Sequence, residues 1–327
     1  MTSRPFAHPR RAGPLIAAGI AAAAVVAALA GCSASQASKH PAAAAGQASP
    51  FLAPAPSPAA SAGARSSRPA CVAAGRGFTC AMRRRIAAAQ RFLATRPGLT
   101  GIVLRDRTTG AVWRNKYAGT QVYMASTSKL AMVITLLVRD HAGAIRLSSA
   151  DRSMIHEMLH VSSDSAADDL WFKYGATFYT HFFPKVGLAA AHYLPQAGVS
   201  GAYWGEITCP ATDLDRMVNY LLDDLPATLR DYVVGEMRDV AAVQHFGVWG
   251  AGAQNEPGNK DGWSTEKPGW IIDSAGFAGP GARYTLAMMN SLNGQGGYRD
   301  GTETITQVAA LLFQGRRIPM PAIQATP

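Results

Sequence analysis

Two catalytic patterns overlap in the stretch MIHEMLHVSSDSAADDL, residues 154–170. His156, Glu157 and His160 spell H-E-x-x-H, which on a helix puts two zinc ligands and a general base on one face. Ser163, Asp164 and Ser165 follow directly, a turn in which the Ser163 hydroxyl could relay a proton to a leaving group. Upstream, Ser126 and Lys129 in ASTSKLAM are three residues apart at the start of an apolar run, so a hydroxyl and an amine stand one helical turn apart. There the unpaired N–H groups and the helix dipole favour a developing oxyanion, and Lys129 could take the Ser126 proton. Downstream, Lys260-Asp261-Gly262 stands where a strand edge would meet a cleft.

The zinc reading lacks the rest of its site. His156 and His160 share the helix side opposite Met154, Ile155, Met158 and Leu159, but no third His follows at the extended spacing. No Glu follows within the next forty residues either. A solvated helix face accounts for the pattern, and the expectation is that no metal is bound and no cofactor is needed.

The elements that must hold the serine set are legible from periodicity. CAMRRRIAAAQRFLATRPG holds an amphipathic helix stopped by Pro97-Gly98, and LTGIVLRD and AVWRNKYAG are strand-like runs joined by a turn. Helical segments follow in STSKLAMVITLLVRD, in SSADRSMIHEMLH with a Ser cap near 148 or 149, and in SAADDLWFKYG ended by Gly175. ATDLDRMVNYLLDDL and LRDYVVGEMRDVAAV predict two more. GWIIDSAGFAG and ARYTLAMMNSL are strand-like around a Gly-Pro-Gly turn, and TETITQVAALLFQG closes as a helix. Strands at both ends with helices between them predict an α+β domain whose antiparallel sheet is completed by the N- and C-terminal segments.

With order and flanks together, residues 81–315 resemble the class A β-lactamase and penicillin-recognising serine-hydrolase superfamily. VLRDRTTGAVW, MLHVSSDSAADDLW and GFAGPGARYTLAMM carry that resemblance beside the three motifs. It implies a β-lactamase/transpeptidase-like fold, with Ser126 as acylated nucleophile, Lys129 as its proton-transfer partner and Ser163 as relay. It further implies Ser165, Lys260, Asp261, Gly262 and Trp263 as substrate-binding and oxyanion residues, the oxyanion hole being the N–H groups of Ser126 and Trp263. Four departures are visible. Asp261 replaces a hydroxyl that would bind a substrate carboxylate, and repels that carboxylate unless it turns away or pairs with Lys260. Ser165 replaces a longer Asn. The interval between Ser126 and Ser163 is short, and no Glu-x-x-x-Asn supplies a deacylating base, Glu206 reading as a surface or structural residue. Slow turnover of β-lactams is therefore expected.

The N-terminus predicts the compartment. Arg4, Arg10 and Arg11 precede an uncharged run from Leu15 to Leu29, and LAGC ends at Cys32, resembling a bacterial lipoprotein signal in which Cys32 is acylated. The expected organisation is a signal peptide (1–31), an Ala/Ser/Pro tether (32–75), the hydrolase domain (76–318) and a C-terminal tail (319–327). With Cys32 lipidated, Cys71 and Cys80 are spaced to close a small disulfide loop, leaving Cys209 as a buried thiol. The first hundred residues hold 12 basic and no acidic side chains, while the remainder holds 19 basic and 21 acidic ones. Such a basic tail beside a lipid anchor suits an anionic membrane surface or cell wall, and the folded part has no positive field for nucleic acid. The expected function is a lipid-anchored serine hydrolase on the extracytoplasmic face of a bacterial membrane, acting on a small-molecule or peptidoglycan-type amide or ester. A non-catalytic envelope-binding protein on the same fold is the alternative, and a zinc protease the third reading.

Overall fold

Thr79 starts the first helix: its hydroxyl accepts the Met82 N–H at 3.1 Å, and α1 (Cys80–Leu93) then buries Met82, Ile86 and Ala89 on one stripe. The computed structural model describes residues 77–265 and 269–314. These fall within one compact unit, Ser66–Pro327. The signal, the tether with Cys32 and Cys71, and the 319–327 tail lie outside the described residues; Cys80 is disulfide-bonded, its partner outside them too. Cys209 is a free, buried thiol.

β1 (Leu99–Asp106) and β2 (Ala111–Arg114) form a hairpin, and a two-residue strand β3 (Val122–Tyr123) leads to the nucleophile turn. α2 (Ser128–His141) is buried without interruption from Ser128 to Leu137, as its unbroken apolar run requires. α3 (Ser149–His160) is capped by a reciprocal box between Ser148 and Asp151. Lys173 reaches back from α4 (Asp164–Tyr174) to the buried Asp151 at 2.6 Å, holding that carboxyl down at about 2. Gly175, at φ 85°, ends α4 and leads into α5 (Ala176–Thr180).

β4 (His192–Tyr193) and β5 (Ile207–Cys209) join β3 in a small antiparallel ribbon, ordered β3-β5-β4. Strands of two or three residues leave no periodicity to read, so the sequence gives no sign of this ribbon. α6 (Ala211–Asn219) runs into a π-helical turn at Tyr220–Asp224, followed by α7 (Ala227–Arg238). The expected helix through residue 243 stops five residues earlier. There the Ala241 N–H bonds His160 O at 2.8 Å, a tertiary bond in place of the helical ladder.

β6 (Gly258–Ser264), β7 (Ile271–Ala278) and β8 (Tyr284–Ser291) precede α8 (Tyr298–Phe313). They complete an antiparallel sheet ordered β2-β1-β8-β7-β6. Register runs from Leu99↔Ser291 to Asp106↔Tyr284, so the N-terminal strand is locked against the C-terminal one, as the sequence predicts for an α+β domain. One sheet face packs Ile102, Leu104, Ile272 and Met288 against α1 and α8. The other packs Val103, Ala275, Phe277 and Met289 with the helical layer around α2. β6 is the sheet edge nearest the start of α2, and the candidate site lies along that seam.

Candidate active site

Ser126 sits in a single 3-10 turn, Ala125–Thr127, that runs straight into α2. Ala125 adopts φ 42°, a left-handed conformation that costs a non-glycine residue energy and turns the chain sharply ahead of the helix. β6 presses close here: a Cβ on Gly262 would lie 2.8 Å from Met124 O, 2.9 Å from Thr127 N and 3.0 Å from Ser126 N. Only glycine permits the strand to approach the nucleophile turn this closely.

Lys129, one turn into α2, has no solvent exposure. Its Nζ donates to Ser126 Oγ at 2.9 Å, to the Ser162 carbonyl at 2.6 Å and to Asp164 Oδ1 at 2.5 Å, and lies 4.6 Å from the Trp204 ring centre. Burial holds its pKa below the ordinary lysine value, against the raising pull of Asp164 and Asp168. Lys260, on β6, is equally enclosed and donates to Ser162 Oγ at 2.9 Å, Gln244 Oε1 at 2.6 Å and the Asp261 carbonyl at 2.7 Å. Burial, reinforced by neighbouring Lys129, drives its pKa well down.

The structure moves the middle motif by one residue. Ser162, not Ser163, lies between the two lysines, with φ 62° turning both its carbonyl and its hydroxyl inward. Ser163 is the N-cap of α4: its Oγ accepts the Ala166 N–H at 3.2 Å, so it is spent on the helix end and cannot reach Lys129. Ser165 lies on the exposed first turn, its hydroxyl 3.1 Å from that of Ser163, while Asp164 takes the place facing Lys129. The signal was present in the sequence, since a Ser two residues before Ser165 and directly before Asp164 is a good helix cap.

Asp261 also departs from expectation. Along β6, Lys260 and Gly262 face the nucleophile turn, so alternation sends Asp261 to the opposite face, where it has no exposure. Ser274, Asn259 and the Phe246 backbone surround it, yet neither carboxyl oxygen has a hydrogen-bond partner of good geometry. Burial pushes its pKa up to about 8, so the neutral acid prevails near pH 7. It is no surface on which a substrate carboxylate is repelled. Trp263 follows on the same face, edge-on to Phe246 at 5.9 Å and to Tyr298 at 6.4 Å.

Two contributors have no motif. Gln244, fully buried, accepts from Lys260 and from the Asp261 N–H at 3.2 Å while its amide donates to the Leu159 and His160 carbonyls at 2.6 and 3.0 Å. It thus stitches the end of α3 to β6. Trp204 is fixed by Asp168, whose Oδ1 accepts from Trp204 Nε1 at 2.7 Å and Tyr203 Oη at 2.6 Å. Trp204 meets Asp168 across 36 residues of chain and Gln244 meets Leu159 across 85, beyond any local pattern.

Glu206 closes the same short turn as Trp204, just ahead of β5. The H-E-x-x-H pair is used within the fold: His156 Nδ1 meets Glu236 Oε2 at 2.8 Å, His160 Nδ1 meets the Asp239 carbonyl, and the rings stack at 5.0 Å. Among the described residues no group of three or more His, Cys, Asp or Glu side chains is arranged to hold a metal ion.

The architecture is that of a β-lactamase-like α+β domain. Solved structures that share it include a β-lactamase from Sphaerobacter thermophilus, at TM-score 0.57 and 15% identity over 72% of this chain and 96% of that one. PBP-A matches at TM-score 0.58 and 17% identity over 74% and 97%, and a β-lactamase from Burkholderia vietnamiensis at 0.58 and 16% over 72% and 97%. The chain thus has the fold of the class A β-lactamase and penicillin-recognising superfamily. In sequence it is similar to the protein named "Putative lipoprotein LppW" in Mycobacterium tuberculosis and Mycobacterium bovis, 29% identical over 232 residues, which cover 66% of this chain and 70% of that protein. No protein-family model matches.

Proposed function

We propose that the chain is a serine hydrolase that acts through an acyl-enzyme at Ser126 on an amide or ester of the cell envelope, anchored through Cys32 at the extracytoplasmic face of the membrane. The observation that carries this reading is the bond from Lys129 to Ser126 Oγ, 2.9 Å, made by a fully buried amine whose pKa burial lowers. In its neutral form Lys129 takes the hydroxyl proton as Ser126 Oγ adds to the substrate carbonyl. The Ser162 hydroxyl, between Lys129 and Lys260, passes a proton to the departing nitrogen or oxygen, and Lys129 returns its proton to Ser162. The N–H groups of Ser126 and Trp263 receive the oxyanion.

Deacylation is the slow half of the cycle. The Trp204 ring stands against Lys129, and an aromatic face is no base for a hydrolytic water. β-Lactams are accordingly poor substrates that leave a persistent adduct. The lipoprotein reading is supported by the name of the mycobacterial relatives and by LAGC at residues 29–32. Among the described residues no helix is long and apolar enough to cross a membrane.

Intact-mass spectrometry after incubation with a penicillin and, separately, a fluorophosphonate tests the reading. One adduct per chain, lost in Ser126→Ala, is the expected result. An unlabelled wild-type chain would favour the non-catalytic binding protein, which the closed-in Ser126, 7% exposed, would also suit.

A further inference from the structure

Six side chains meet at the nucleophile: Ser126, Lys129, Ser162, Gln244, Lys260 and Asp164. Five are buried, both lysines having no exposure at all, whereas the Asp164 side chain is 74% exposed. The positive charge of the site is therefore shielded and the negative charge faces the solvent. Asp164 Oδ1 accepts from Lys129 at 2.5 Å, and Oδ2 makes no hydrogen bond among the described residues. A carboxylate has acceptor sites only, so what it can hold is an N–H or O–H donor. It is also the first residue of α4. A second observation gives the surroundings the same sign. Asp168, whose Oδ1 accepts from Trp204 Nε1 at 2.7 Å and Tyr203 Oη at 2.6 Å, places a second carboxylate at the wall of the cleft next to Lys129.

We propose that Asp164 is the specificity-determining residue of the site, selecting acyl donors that carry an ammonium or comparable cationic N–H group near the scissile carbonyl and rejecting those with a carboxylate there. The inference rests on Ser126 being the nucleophile. Asp164 Oδ2 receives the ammonium N–H while Oδ1 keeps its bond to Lys129, so the cation is held beside the attacking hydroxyl without dismantling the proton relay. An acyl group with a carboxylate in that place meets the outward-facing Asp164 carboxylate, and neither buried lysine can turn outward to pair with it.

The test uses three aryl esters of equal length whose acyl chains end in an ammonium, a methyl or a carboxylate. Acylation rate constants are measured by rapid-quench intact-mass spectrometry on the full chain, at low and high salt. For the wild type the expected order is ammonium, methyl, carboxylate, with about threefold to fivefold between neighbours at low salt. The spread narrows in high salt. In Asp164→Asn the order collapses to near equality. A flat or reversed order in the wild type, or an order unchanged by Asp164→Asn, overturns the proposal. Should Asp164→Asn fail to fold, the wild-type order and its salt dependence decide alone. If the esters and a fluorophosphonate all leave the wild type unlabelled, the Ser126 reading itself has failed, and this inference with it.

Discussion

The Lys129 Nζ lies 4.6 Å from the centre of the Trp204 ring, and the same indole donates its N–H to Asp168 at 2.7 Å. An aromatic wall thus seals the amine from water while a carboxylate behind it holds the wall in place. Replacing the ring admits water. Burial is the largest cause of the depressed Lys129 pKa, so hydration outweighs the lost ring–cation attraction and moves that pKa up towards the ordinary value. In Trp204→Ala the acidic limb of acylation rate against pH is expected to shift to higher pH, because neutral Lys129 becomes scarcer at any given pH. Labelling by a fluorophosphonate between pH 5 and 10 reads the shift directly. The same variant loses about 3–5 kcal/mol of stability through the cavity it leaves.

Gln244 offers a test of how much of the site depends on one amide. Gln244→Leu keeps the size but leaves the Asp261 N–H and the Leu159 carbonyl without their partner and takes one acceptor from the Lys260 amine, which keeps Ser162 Oγ and the Asp261 carbonyl. Leaving buried polar groups unpaired costs roughly 1–3 kcal/mol each before relaxation, and a net loss of about 2–4 kcal/mol is expected in the urea midpoint. Gln244→Glu keeps an acceptor for Lys260 but forfeits the two carbonyl bonds, and should recover part of that loss. Equal stability of Gln244→Leu and wild type would mean that the stitch between α3 and β6 contributes nothing.

Asp261 makes stability depend on pH. Its folded pKa of about 8 lies above the unfolded value, so between roughly pH 4 and 8 the native state binds a proton that the unfolded chain has released. Stability contributed by this group is complete below pH 4 and is lost as pH rises through 8. In Asp261→Asn that decline is expected to be shallower by up to about 1.4 kcal/mol per pH unit in this window, read from urea unfolding at pH 5, 6, 7 and 8. A wild type whose decline is no steeper than the variant's would show that the buried carboxyl does not titrate as its surroundings dictate. Asp273, raised by burial and further by Asp261, remains in both chains, and the part of its shift that Asp261 causes is lost together with Asp261.

What the sequence carried and what it did not divides along range of interaction. The apolar run of α2, the Ser148 cap, the stop at Gly175 and the strands flanking Gly279-Pro280-Gly281 are local in origin and were readable. So were Ser126 and Lys129, because one helical turn fixes their distance. Gln244 and Trp204 were not, since each reaches its partner through the folding of distant segments. Asp261 was readable as a departure, but the face on which it lies follows from the approach of Gly262 to the nucleophile turn, which is a tertiary fact. The register of the middle motif is ambiguous in sequence for a different reason: three serines in four positions give equal chemistry, and only capping geometry separates Ser162 from Ser163 and Ser165.

That separation can be measured. Ser162 Oγ lies 2.9 Å from Lys260 Nζ and 3.4 Å from Lys129 Nζ, while Ser163 Oγ lies over the first turn of α4. Ser162→Ala removes the hydroxyl between the two amines, and a relay of this kind is worth on the order of a hundredfold in acylation. Backbone strain is unchanged in kind, since Ala at φ 62° is no easier than Ser, so a folded Ser162→Ala chain reports on the hydroxyl itself. Ser163→Ala removes a helix cap and is expected to show its effect in thermal unfolding, with a loss of about 1 kcal/mol. The larger acylation defect falls on Ser162→Ala and the larger effect of helix fraying on Ser163→Ala. If Ser163→Ala instead gives the hundredfold loss with Ser162→Ala near wild type, the relay runs through the residue at the start of α4, and the helix must unwind by one residue when substrate binds.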